Sequence, residues 1–554
     1  MTDSAPATAP ATSAASPQVA GLADALTTTD HKRIGRIWLV ASLVLLMAAT
    51  VVGVVVGIER ADSGAVDLFG GDNNLFQWWS LGRFGLALLV AAPLFVGLAT
   101  VVVPMQVGAT NIAFPRAALA AAWGYLIGAG ITIVSVAAGG GWGALDGVSG
   151  EEADAIALTL LGTGMVLGSI LLASICIATT VVSLRTAGMT LLRTPLFAWS
   201  MLVTAGVWLL TLPIAIANIA IIYVDLRGGP LLFGNPQGTF DVYAQLAWLI
   251  EQPQIYAFAI PVLGVLGSVV PVAAGRRHAQ HVIAATLIGL FGLLAVGGWS
   301  QPYFHDNTEQ FVFITFGLVA VIPVLGSIGG SADTLVRGRP PAGLPPAHLM
   351  GALGASVLLL FATLGGAARV IQPWELGGTA TVTGVMNLTL FASITAAVAG
   401  IWFWAVKLEG RPLSAGLGRL AIVDLVLGAL LLGAADVVSG FFDADVLQLA
   451  VPDDEIVEVL DVVAVVGGVL VALGALGVLV AVARSMLGSA GEADADPWSG
   501  HTLEWATTSP PPPGNFPEPP AKVVSEAPLL DAAAGDDTAD TDDIAGDDEE
   551  GDAG

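Results

Sequence analysis

The side chains best suited to hold a transition metal or a haem iron are few in this 554-residue chain, and their spacing is informative. There are six histidines, His31, His278, His281, His305, His348 and His501, and one cysteine, Cys176. Imidazole and thiolate are the donors such metals favour. No histidine lies between residues 32 and 277, and none between 349 and 500. A single cysteine excludes a disulfide framework and a cysteine-based cluster. The other groups with chemistry to offer in apolar surroundings are Arg83, Glu251, Gln252, Gln254, Tyr256 and Gln301. An ionisable group near the middle of a membrane span is a functional candidate by default. The competing role for Glu251 is a protonated, hydrogen-bonded carboxyl. His305 could bind a metal with Gln301 or Asp306, but a short polar loop is also where a solvated histidine is ordinary. For Tyr256, the expected role is helix packing with its hydroxyl bonded to a nearby polar group.

The elements that would position these groups are membrane helices. Hydrophobic residues make up 55% of the chain and charged ones 12%, with mean hydropathy +0.80, against about 25% charged in a typical soluble domain. A hydrocarbon core of about 30 Å needs about 20 apolar residues in a helix. Runs of that kind fall near 35–58, 84–105, 117–138, 156–182, 197–224, 242–272, 281–300, 311–330, 348–370, 380–406, 417–439 and 460–484. The sixth is interrupted by Pro253 and Pro261. Twelve spans predict an all-α integral membrane bundle.

Charge gives an independent check. Of the nineteen Lys and Arg residues, fifteen fall before odd-numbered spans or after the last one; the other four are Arg60, Arg83, Arg227 and Arg369. The positive-inside rule then predicts cytoplasmic termini in a bacterial plasma membrane protein. The opposite loops are acidic, with Asp146, Glu151, Glu152 and Asp154 in one and Asp443, Asp445, Asp453, Asp454 and Glu455 in another. Such a face can steer a basic soluble partner or reflect a salty exterior. A net charge of −26 argues against a nucleic-acid partner. Residues 1–28 lack the apolar core of a cleavable signal and are expected to be a disordered tail. The membrane domain is expected over 29–485, an extended segment over 486–528 and a disordered acidic tail over 529–554.

Six ordered fragments resemble subunit I of the haem–copper oxidases, in its actinobacterial type. They are "TTDHKRIGRIW" at 28–38, the passage 93–123 with its Ala113–Arg116 turn, 184–204, "QPQIYAFAIPVLG" at 252–264, 400–420, and "DPWSGHTLEWATTSPPPPGNFPEPP" at 496–520. The resemblance covers roughly residues 28–528 and implies a twelve-helix bundle of the subunit I type. It also implies two haems and one copper held by six histidines, with electron transfer to oxygen coupled to proton pumping.

This chain departs from that pattern at the ligands. Two of the family's ligand positions fall in the first histidine-free stretch and two in the second, so four of six are absent in any register. The matched motifs put Gly82 at the first haem ligand, and Gln252 and Gln254 at the copper histidine and the glutamate, with Tyr256 kept. With Trp299 as anchor, Gln301 and Pro302 stand at the paired copper histidines, and Gly384 and Met386 at the tenth-span pair. The three glutamines are expected to hydrogen-bond one another, and Met386 to pack in the core. The arginine pair of the family maps to Phe441 and Phe442, its proton-uptake aspartate to Asn111 and its eighth-span lysine to Ser327. The resulting expectation is a subunit I-like protein without haem or copper, acting as a structural, assembly or regulatory partner of other respiratory-complex subunits. A catalytic oxidase subunit and a repurposed channel or transporter are the alternatives.

Overall fold

A computed structural model describes residues 27–61, 67–143, 150–228, 241–251, 254–296, 311–339, 342–446, 454–488 and 494–533. Twelve apolar helices follow one another: α1 (His31–Ala61), α2 (Asp72–Gln106), α3 (Pro115–Ala137), α4 (Gly150–Ser183), α5 (Leu196–Gly228), α6 (Ile260–Ala274), α7 (His281–Val296), α8 (Phe311–Arg337), α9 (Ala347–Arg369), α10 (Thr381–Glu409), α11 (Ala415–Ser439) and α12 (Glu455–Leu487). Among the described residues ten of these meet the length needed to cross a membrane, as does α6 taken with the turn that leads into it (Ile255–Ala274), and α7 is a shorter apolar helix in sequence with them. The expected membrane bundle is the observed one.

The sixth run is not one helix. A short helix, Asp241–Ala247, is followed by a 3-10 turn, Gln254–Phe258, and only then by α6. Pro261 sits in the first turn of α6 and has no N–H to continue a helix from upstream. Glu251 is thereby left at a break in the helix, where a side chain can reach sideways.

Burial divides the helices into two classes. The most apolar stretches of α2 and α10 are wholly enclosed by protein and that of α6 largely so, whereas α1, α8 and α12 are two-thirds uncovered. Uncovered apolar side chains such as Val134, Leu210 and Val462 belong in lipid. Small residues bring the helices together, as is common in membranes. A Cβ on Gly428 of α11 would lie 2.6 Å from the Gly467 carbonyl of α12. The backbones therefore touch where those helices cross.

One end of the bundle is capped by residues 494–533. Asn515 accepts from the His31 ring Nε2 at 2.9 Å through Oδ1, and its Nδ2 donates to the Ala109 carbonyl at 2.8 Å. Lys407 donates to the Thr507 and Ala495 carbonyls at 2.6 and 3.0 Å. Glu504 is fully buried and accepts from Gln106 at 2.9 Å and Trp404 at 3.3 Å. The ordered cap also extends past the expected boundary at 528. Residues 528–533 form a helical turn, and Arg277 bonds Asp531, so the acidic residue nearest the cap is a contact and not a loose tail. The remainder, from 534, lies outside the described residues, as does most of the expected N-terminal tail.

Burial raises the Glu504 carboxyl above the ordinary range, so the docked cap keeps this proton over pH values at which a released cap loses it. Docking should be tightest in acid and weaken as pH climbs from about 4.5 to the raised value. Limited proteolysis of the cap across pH checks this. Glu504→Gln should flatten the dependence and stay docked, and Glu504→Ala should raise cleavage at least roughly tenfold, since it leaves the buried donors of Gln106 and Trp404 unsatisfied at about 1–3 kcal/mol each.

Candidate functional site

Away from the cap, six charged side chains from six different elements meet inside the bundle. Arg83 of α2 is 3% exposed and lies across the ring of Trp79 at 4.4 Å. Its Nε donates to the Met386 sulfur and its Nη1 to the Thr383 hydroxyl, each at 3.4 Å, so the guanidinium fills the contact between α2 and α10. On one side Arg83 meets Glu251 at 4.0 Å, and Arg369 of α9 meets the other oxygen of Glu251 at 3.9 Å. Tyr243 donates to the same carboxylate at 3.5 Å. On the other side Arg83 lies within electrostatic reach of Asp436 on α11. Asp436 pairs with Arg60 of α1 at 3.2 Å and accepts from Asn387 of α10 at 3.1 Å. Arg60 in turn acts on Asp461 of α12.

The order Asp461, Arg60, Asp436, Arg83, Glu251, Arg369 alternates in sign and sums to zero. A buried charge is costly unless it is paired, and each here has an opposite neighbour. Immediately after Arg83, α2 changes from α to a seven-residue π segment, Gly85–Ala91. Such segments cluster at functional sites because the extra residue re-aims what precedes it.

The structure brings Gly82, Arg83, Met386 and Glu251 to this region and separates others from it. A Cβ on Gly82 would meet nothing within 4 Å, so that position faces open space. Gly384 does not. A Cβ there would lie 2.5 Å from the Gly433 carbonyl, so it faces α11 and not the bundle centre. Tyr256 stacks on Phe291 at 5.4 Å, and its buried hydroxyl has no hydrogen-bond partner among the described residues. Glu251 lies between the Arg83 and Arg369 guanidiniums and accepts a hydrogen bond from Tyr243. Gln252, Gln301, Pro302 and His305 lie outside the described residues, as does the side chain of Gln254, so their mutual hydrogen bonds do too. Phe441 and Phe442 are exposed, Asn111 is half-buried and donates to the Thr29 carbonyl, and Ser327 is buried with a hydroxyl that has no partner among the described residues.

Sequence reasoning missed Arg60, Arg369, Asp436, Asp461 and Asn387. The signal for two of them was present, because Asp436 and Asp461 fall inside apolar runs. The three arginines were counted as loop charges, yet their side chains turn back into the protein.

The five described histidines are all at the capped end. His31 bonds the Thr100 carbonyl and Asn515. His348 packs on Trp498 of the cap at 4.5 Å. His278, His281 and His501 line one small cavity with Glu526, and burial pushes His278 down to about 4, keeping it neutral at ordinary pH. Among the described residues no group of three or more His, Cys, Asp or Glu is placed to hold a metal ion.

Among the described residues three enclosed helices wrapped by nine others, with a charged crossing where α2 meets α10, form an all-helical membrane bundle. The family model described as "Cytochrome C and Quinol oxidase polypeptide I" matches residues 33–470, and the chain belongs to that family. It is 29% identical over 536 residues to the putative cytochrome c oxidase subunit 1-beta of Streptomyces avermitilis, covering 92% of each chain. It is 26% identical over 531 residues to cytochrome c oxidase subunit 1 of Corynebacterium diphtheriae, covering 91% of each. A solved heme-copper terminal oxidase dimer shares the fold, with TM-score 0.68 at 16% identity, covering 91% of this chain and 89% of that one.

Glu251→Gln should be costly, since it removes the shared carboxylate of two buried arginines. Loss of about 3–5 kcal/mol is expected for breaking a buried pair. Arg83→Met should cost less than half of that, because Glu251 keeps Arg369. Thermal unfolding in one detergent measures both, and a Glu251→Gln protein as stable as the wild type would show that the carboxylate is not shared.

Proposed function

We propose that this chain is a subunit I-type scaffold that carries neither haem nor copper and serves as a structural, assembly or regulatory subunit of a respiratory membrane complex. The observation that carries this reading is the occupancy of the α2–α10 contact. Arg83 lies there against Trp79, Thr383 and Met386, and the described histidines are at the other end. A haem iron needs neutral or anionic axial donors. A guanidinium is a permanent cation with no acceptor, so these residues do not fit the group. The partition of fifteen of the nineteen basic residues to one set of loops supports placing both termini, and with them the capped end, in the cytoplasm.

The second reading is the ordinary catalytic subunit. The names of the relatives favour it, and their similarity over nine-tenths of the chain is its support. An optical spectrum and metal analysis of the purified full chain separate the two. The scaffold reading expects no Soret band and iron and copper well below one per chain, with oxidase subunits co-purifying on an affinity tag. Stoichiometric haem would overturn it.

A further inference from the structure

Helix α11 packs against α9, α10 and α12, and its remaining side is uncovered. Along that side Leu420, Val423, Leu427 and Val438 are exposed, the apolar composition of a surface in lipid. One residue breaks the pattern. Asp424 is only partly buried and shares this face with Leu420, Val423 and Leu427, its neighbours at helical spacing. It is nine residues beyond Ala415, which begins α11 at the capped end, so it lies about 13 Å along the helix axis. A hydrocarbon core is about 30 Å thick. An aspartate is too short to reach back to water from that depth, as lysine and arginine can.

Among the described residues Asp424 has no hydrogen-bond donor and no ion pair, and no charged side chain acts on it electrostatically. The neighbouring flanks are apolar at the same level. A Cβ on Gly354 of α9 would lie 2.6 Å from Val426, and one on Gly477 of α12 would lie 3.1 Å from Ala421. Those contacts set the exposed Val357 of α9 and Leu473 of α12 near the level of Asp424. No other charged side chain among the described residues stands on an uncovered flank more than two turns from the ends of its helix. The interior charges pair among themselves and leave none over for it. An ionisable group at this depth is costly and marks a site whose partner should be sought. The complement of an anion in an apolar surface is a cation, and the element that can carry one through lipid to the side of a helix is another helix.

We propose that this face of α11 docks a transmembrane helix of another subunit, which sets a lysine or arginine against Asp424. Leu420, Val423 and Leu427 then pack around the pair and keep lipid from it. The carboxylate selects the partner by rejecting helices that leave it unpaired. A second copy of this chain does not supply the cation, because among the described residues its own lysines and arginines are buried or near helix ends. The inference rests on the reading of the chain as a subunit of a membrane complex, and not on the absence of haem.

The test is photo-crosslinking of the full chain in its native membranes, with p-benzoylphenylalanine in place of Leu427. One membrane polypeptide should be trapped, and mass spectrometry should place the crosslink in an apolar segment that carries a lysine or arginine. Asp424→Asn and Asp424→Leu should each lower the yield at least roughly tenfold, since losing one partner of a desolvated pair weakens binding strongly. Exchanging the charges, with Asp424→Lys and an aspartate at the trapped basic position, should restore it. The melting temperature of the isolated chain should be unchanged in both single variants, because the carboxyl has no partner within it. A lowered melting temperature, an unchanged yield in either variant, a trapped segment without a basic residue, or crosslinks only to lipid or to a second copy would overturn the proposal. Oxidase subunits that co-purify equally with the wild-type and Asp424→Leu chains overturn this inference alone, whereas a chain that co-purifies with no membrane polypeptide overturns the subunit reading as well.

Discussion

A charge enclosed by a membrane protein must find an opposite charge within reach, and in this bundle that requirement ties together the elements that sequence order keeps apart. Arg60, Arg83, Arg369, Asp436 and Asp461 come from α1, α2, α9, α11 and α12, and Glu251 from the break before α6. No single pair is strong. The contacts of Glu251 are 3.9 and 4.0 Å, longer than an ideal charge-assisted hydrogen bond. Alternation is what makes the arrangement workable. Each interior charge has opposite neighbours on two sides, so no desolvated ion is left to its own resources. The enclosed helix α10 threads through the middle and adds neutral contacts from Thr383, Met386 and Asn387.

The two ends of the bundle solve the burial of polar groups differently. At the capped end the polar groups are mostly satisfied by backbone carbonyls, as the bonds of Lys407 to Thr507, His31 to Thr100 and Asn515 to Ala109 illustrate. Those bonds are short and compatible with neutral histidines. At the other end the partners are charged side chains far apart in sequence, such as Arg60 and Asp436, separated by 376 residues. Histidine in this chain is thus a hydrogen-bonding residue of the cap, and arginine is the residue of the interior.

Why some of this was legible in sequence follows from the range of each interaction. Membrane spans announce themselves through local hydropathy, so twelve runs gave twelve helices. Histidine positions can be counted without any structure, and the two empty stretches stand in every register. The charged chain left almost no local trace. Arg83 and Arg369 sit near span ends, where a positively charged residue ordinarily faces water, and only three-dimensional placement shows their long side chains folding inward. Gly384 illustrates the limit of motif register. The matched motifs put it at a ligand position, and its packing against Gly433 of α11 is visible only in three dimensions.

Arg83 and a haem iron make competing demands on the same contact. For a haem to lie between α2 and α10, the guanidinium would have to leave Trp79, Thr383 and Met386, and Glu251 would then keep only Arg369. Asp436 would lose one of its two neighbouring cations. The alternation would break at its centre, leaving α9 and α6 joined on one side and α1, α11 and α12 on the other. On the proposed reading, the cation that disfavours an iron at this crossing is therefore also the link that joins the two halves of the chain, and the scaffold keeps its shape without cofactors because Arg83 does both.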